Sequence, residues 1–127
     1  MKILALDTAT SCGVVGLALD GQPVAELSLI SNETHSARLL PTIEWLLRIV
    51  GWKMEEIDGF GVTLGPGSFT GLRVGISTIK GFAWALDRPV AGLNSLEILA
   101  SQYREKKATI VPMLDARKER VYGGGFR

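Results

Sequence analysis

A chain of 127 residues, 46% hydrophobic and 21% charged, with 15 Gly, 5 Pro and one Cys, has the composition of one small globular domain and excludes disorder and a coiled coil. Its 14 basic and 13 acidic residues leave a net charge of +1, too weak a field to hold nucleic acid without help, so a stand-alone nucleic-acid binder is disfavoured. Cys12 has no disulfide partner, no stretch reaches the ~18 uninterrupted apolar residues of a membrane span, and the N-terminus lacks a secretory signal, so a soluble cytoplasmic protein is expected.

From Lys2 to Ile30 the apolar runs Ile3–Leu6, Val14–Leu19 and Val24–Ile30 have no helical period and are bounded by turn residues. They predict three strands, with Asp20-Gly21 as a hairpin turn. From His35 to Val50 the spacing of Leu39, Leu40, Ile43, Leu46, Leu47 and Val50 turns helical and ends at Gly51, a natural left-handed cap. Pro41 implies either a start near that residue or a local irregularity. Phe60–Leu64 predicts a strand that feeds the loop Gly65-Pro66-Gly67-Ser68-Phe69-Thr70-Gly71, which opens a second helix with Leu72, Ile76, Ile79, Ala83 and Leu86 as its buried face. Arg88-Pro89 ends that helix and Val90–Leu93 is the next strand. Asn94 with Glu97 makes a capping-box-like start to a third helix running through Tyr103. Ala108–Leu114 predicts one more strand, the charged residues 115–120 a turn, and Val121, Tyr122 and Phe126 a last strand.

A meander of three strands followed by alternating helices and strands predicts an α/β fold: a ribonuclease-H-like layout, antiparallel in the meander and extended by parallel strands with helical crossovers. Residues 1–107 form the expected lobe. The hairpin over 108–127 comes after the sheet is complete and is expected to begin a second lobe.

Asp7 and Thr8 stand where the first strand hands over to the second. A carboxylate beside hydroxyls suits a phosphate or a magnesium-bound water, and equally a simple polar turn. Gly67, Ser68 and Thr70 precede a helix N-terminus, where close backbone approach and free N–H groups suit an anion; a tight capped turn accounts for them as well. The loop lacks the Lys-Ser or Lys-Thr pair of a Walker motif. His35 is the sole histidine, which excludes a His-His metal pair, and Cys12 reads as a buried structural thiol. On the second helix Val74, Gly81 and Ala85 lie opposite the core stripe beside Ser77, and on the first Trp45 and Ile49 fall beside the stripe, flanked by Arg38 and Thr42. Apolar residues rimmed by polar ones suit a protein interface as well as they suit packing beneath a loop.

The motif order resembles the TsaB family, also called YeaZ, the non-catalytic paralogue of TsaD/Kae-type proteins in the actin-like ATPase superfamily. The resemblance rests on Ile3–Thr8, His35-Ser36 with Leu39-Leu40-Pro41, Gly65–Gly75, Lys80-Gly81, Pro89–Glu97 and Asp115-Ala116-Arg117. The Gly-Pro-Gly-Ser-Phe-Thr-Gly-Leu-Arg run is its most specific part. It implies support of TsaD in making threonylcarbamoyladenosine next to the tRNA anticodon, through a helical interface with a TsaD-like paralogue, with a TsaE-like ATPase as a further partner. It also implies a homodimer through the same helices, and contact with tRNA only through the complex. Where TsaD has a His-Met-Glu-Gly-His type metal motif, this chain reads Ser95-Leu96-Glu97-Ile98-Leu99, so neither imidazole ligand is present.

Family members have two similar lobes, with nucleotide between the lobes in actin-like proteins. A one-lobe chain is therefore expected to hold no cofactor tightly and to meet ATP only in a larger assembly, and its last hairpin is expected to be mobile, swapped or paired with another chain. The competing readings are a glycoprotease-like metallopeptidase or an ATP-hydrolysing enzyme, and a free-standing RNA-binding module.

Overall fold

A computed structural model describes residues 1–30, 34–105 and 107–127. Strands β1 (Lys2–Asp7), β2 (Cys12–Leu19) and β3 (Gln22–Ile30) form the expected antiparallel meander. The turn from β2 to β3 uses Asp20 at φ 50° and Gly21 at φ 79°. Helix α1 (His35–Val50), a short 3-10 turn at Met54–Glu56 and strand β4 (Gly59–Gly65) follow, then α2 (Phe69–Leu86), β5 (Val90–Asn94) and α3 (Ser95–Ser101). The five strands run in the order β3-β2-β1-β4-β5, with β1, β4 and β5 parallel. This is the ribonuclease-H-like arrangement expected from the sequence.

Alternation along the strands puts Leu4, Leu6, Val15, Leu17, Phe60 and Val62 on one sheet face, where each is buried. The register sets Leu4 between Leu17 and Phe60, and Leu6 between Val15 and Val62. Over this face lie Leu39, Ile43, Leu46 and Leu47 of α1 and Ile79 and Ala83 of α2, with Ile57 from the connection. Phe82 of α2 stacks on Phe60 with ring centroids 6.1 Å apart. At roughly 1.5–3 kcal/mol for each large apolar side chain, this layer is the dominant stabilising contribution.

Helix α1 starts at His35, so Pro41 sits inside it and the reading of a start near Pro41 is set aside. Its C-cap, Gly51, takes the left-handed conformation at φ 80°. The buried face of α2 is rotated from the expected one. Gly71, Gly75, Ile79 and Ala83 are buried, while Leu72, Ile76 and Leu86 are half-buried. The helix lies so close to the end of β1 that only glycine fits where it touches, and the leucine and isoleucine are turned aside.

The C-terminal elements differ most from expectation. Helix α3 stops at Ser101 and gives way to a turn before Tyr103. In place of a strand over 108–114 and a turn over 115–120, β6 (Met113–Arg117) pairs with β7 (Arg120–Gly123) in a separate two-stranded sheet. Asp115 lies within β6, opposite Val121, and its Oδ1 accepts from the Arg117 amide at 2.8 Å. The reversal is made by Arg117, Lys118 and Glu119, at φ 62°, 52° and 58°. Phe126 belongs to neither strand; it pairs with Ile110 in an isolated bridge. Cys12 is half-buried at the start of β2 and not enclosed in the core. Among the described residues no helix is long and apolar enough to cross a membrane.

Candidate functional site

Three consecutive residues after β1 each hold a different group at the start of a helix. Thr8, fully buried, donates its hydroxyl to the Gly71 carbonyl at 2.7 Å. The Ala9 carbonyl accepts from the Ser68 amide at 2.7 Å. The Thr10 carbonyl lies 2.7 Å from Nε2 of His35, the first residue of α1. Asp7 closes the turn by accepting from the Ala9 amide at 2.9 Å. A methyl group at Gly67, Gly71 or Gly75 would collide with Thr8 or Ala9, which explains why the loop is glycine-rich.

Of the anion candidates, Thr8 is therefore committed to holding α2, and Asp7 to its own turn. Ser68 is the N-cap of α2; its Oγ accepts from the Gly71 amide at 3.2 Å. Gly67, Ser68 and Thr70 do line an open cleft of ≈ 530 Å³, with Ala9–Ser11 on one side and Asp115, Arg117 and Tyr122 of the hairpin on the other. The cleft, unlike the buried Thr8 hydroxyl, has polar groups facing open space. No group of three or more His, Cys, Asp or Glu is placed to hold a metal ion among the described residues.

The six interface candidates separate into two strips. Val74, Ser77, Gly81 and Ala85 run along the outer side of α2, and nothing lies within 4 Å of where a Gly81 side chain would project. Trp45 and Ile49 are exposed, at 48% and 63%, on the same flank of α1 as Arg38 and Thr42. That flank faces β2 and β3, because Arg38 and Thr42 share a small pocket with Gly13, Val15 and Leu29. Leu40, Ile43, Glu44 and Leu47 of α1 border a groove with Phe82 of α2. Leu40, assigned by spacing to the core, is half exposed there.

Two residues of this surface were missed by the sequence reading. Phe69 is 73% exposed and Trp84 is 89% exposed, both on the side of α2 turned from α1. Phe69 is masked in the sequence by its place inside the glycine loop. Trp84 was legible as the residue one turn before Arg88 and two turns after Ser77, on the outer side.

The model of the family described as "TsaD: tRNA N6-adenosine threonylcarbamoyltransferase" matches residues 29–127. The tRNA threonylcarbamoyladenosine biosynthesis protein TsaB of Bacillus subtilis is 36% identical over 127 residues, covering 100% of this chain and 56% of that protein. The TsaB of Escherichia coli is 37% identical over 129 residues, covering 100% of this chain and 55% of that protein. The chain thus spans little more than half the length of these relatives. The solved structure titled "YeaZ from Pseudomonas aeruginosa" superposes with a TM-score of 0.90 at 37% identity, covering 99% of this chain and 60% of that one. The glycine loop, the strand order and these matches agree: the chain belongs to the TsaB (YeaZ) family, within the wider family described by the TsaD model.

Proposed function

We propose that this chain is a non-catalytic partner of TsaD in the threonylcarbamoylation of the anticodon-adjacent adenosine of tRNA, docking through the outer side of α2. The observation that carries this reading is the strip Val74, Ser77, Gly81 and Ala85. It is a row of small side chains with open space above Gly81, flanked by exposed Trp84 and by Leu40 across the groove. Small residues let a partner helix approach closely while the large ones at the rim exclude water. Trp45 and Ile49 stay exposed on the other flank of α1, toward β2 and β3, and stand apart from this strip. In this reading residues 1–107 are the ribonuclease-H-like lobe and 108–127 begin a second one, a division supported by the separate β6–β7 sheet.

The chemistry belongs to the partner. Ser95 and Leu99 stand where the catalytic paralogue has metal-binding histidines, and buried Thr8 and half-buried Asp7 each bond the backbone. ATP is bound only in the larger assembly, a TsaE-like ATPase joins through TsaD, and tRNA is met through the complex, all in the cytoplasm. Two copies of the chain pair through the same α2 surface when TsaD is absent. The test is association of the purified chain with TsaD by calorimetry or size-exclusion chromatography. Gly81→Glu or Ala85→Glu strands a charge in the contact and abolishes association, with the circular dichroism of the chain unchanged. Undiminished association of both variants would refute the docking surface.

A further inference from the structure

The side of α2 turned from α1 carries charge of one sign. Arg73 and Lys80, two helical turns apart, line a groove of ≈ 580 Å³ with Phe69, Thr70, Val74, Ile76 and Ser77, and no carboxylate borders it. Helix α2 contains no Asp or Glu. The nearest in sequence, Asp87, is the C-cap beyond the helix. Neither cation makes a salt bridge among the described residues. The Arg73 guanidinium is held over the Phe69 ring, 5.4 Å from its centroid, and both side chains line the groove. Because the groove includes Val74 and Ser77, it continues the strip on which the proposed function rests.

We infer that this flank takes an acidic helix of TsaD, with carboxylates two turns apart facing Arg73 and Lys80 and an apolar ridge between Phe69 and Trp84. This rests on the docking reading above and adds the chemistry of the partner. The spacing of the two cations is too great for one small anion but matches two carboxylates on one face of a helix. A protein suits the flank better than RNA, since two cations beside two exposed aromatic rings on a chain of net charge +1 leave most phosphates of an RNA backbone unanswered. The same flank favours this partner over self-association, which is left for when TsaD is absent. A two-fold contact puts equivalent patches together, so a homodimer through α2 brings four cations and no anion to one seam. TsaD pairing therefore weakens with salt, whereas self-pairing strengthens with it.

The test measures Kd for TsaD and for self-association at low and high salt, for the wild-type chain and for Arg73→Glu/Lys80→Glu. The expected result is that the double reversal weakens TsaD binding by roughly tenfold or more and removes its salt dependence, and that the reversed and wild-type chains pair with each other better than either pairs with itself. Arg73→Gln/Lys80→Gln gives the intermediate case and serves if the reversed chain folds poorly. The inference is overturned if TsaD binding is indifferent to salt and to both double variants while Ala85→Glu still abolishes it, an outcome that leaves the docking surface standing. It is overturned too if the reversal spares TsaD binding and weakens only tRNA binding by the complex, which would make the flank an RNA contact. Loss of effect for Ala85→Glu as well would refute the docking reading itself.

Discussion

His35 Nε2 lies 2.7 Å from the carbonyl oxygen of Thr10, joining the first turn of α1 to the loop that also holds α2. The ring fits because Gly13 of β2 and Gly71 of α2 have no side chains. A methyl at Gly13 would stand 3.0 Å from Nδ1, and one at Gly71 3.3 Å from Cδ2. His35→Ala removes the hydrogen bond and empties the space between two glycines, at a cost of about 2 kcal/mol. His35→Gln keeps a donor near the Nε2 position and is expected to lose less. Urea unfolding of the two variants checks the order.

Two glycines of one helix are expected to respond in opposite directions. At Gly71 a new methyl would strike the Thr8 carbonyl, so Gly71→Ala destabilises by about 3 kcal/mol or prevents folding. At Gly81, in the helix interior with nothing within 4 Å, alanine stabilises the monomer by about 0.5–1 kcal/mol through helix propensity. Thermal melts of the pair separate a glycine required by close approach from one that is merely permitted.

Ser95 is 4% exposed and its hydroxyl has no hydrogen-bond partner among the described residues. A buried donor left unsatisfied costs about 1–3 kcal/mol. Ser95→Ala is therefore expected to be neutral or stabilising, whereas removing the N-cap side chain one residue earlier, Asn94→Ala, costs about 1 kcal/mol, because Asn94 Oδ1 accepts from Leu96 and Glu97. A higher denaturation midpoint for Asn94→Ala than for Ser95→Ala would contradict this.

Glu56 carries an acid-sensitive link at the surface. The Lys53 amide at 3.0 Å, and then the Lys2 ammonium at 3.3 Å, lower its pKa. Because the folded carboxylate is the more acidic, its contribution is fully present above the ordinary Glu pKa and is lost as pH falls through the depressed folded value. The acid limb of stability against pH should be shallower in Glu56→Gln. Stability of wild type and variant above the ordinary carboxylate range should differ little, since the pair is exposed to solvent.

The five-stranded sheet was legible because its strands are apolar runs bounded by turn residues and the helices keep a 3.6-residue spacing. Three features were not. The tight approach of α2 to Thr8 turned its face toward glycines, which carry no apolar signal. Leu40 satisfied the helical spacing yet opens onto a groove, since spacing alone cannot tell which flank a neighbouring helix leaves uncovered. In β6, Asp115 and Arg117 read as turn residues by composition, but they occupy the exposed positions of a strand whose half-buried positions are Leu114 and Ala116. Of the candidate site, the α2 strip was visible as small residues opposite the core. The division of labour within Asp7–Thr10 was not, because hydroxyls that bind a ligand and hydroxyls that bind backbone look alike in a sequence.

Both β3 and β4 run parallel to β1, so the helices that follow them start at the same end of the sheet and return side by side. Thr8, Ala9 and Thr10 then fasten both helices at that end, like two tines rising from one root. Beyond that root the far halves are seated on the sheet, with Phe82 stacked on Phe60 and Val50 and Leu86 packed against the core. The tines are therefore set at the root by hydrogen bonds and along their length by apolar packing, so a change at Thr8 or Thr10 would shift where both helices begin before it disturbed the layer beneath them.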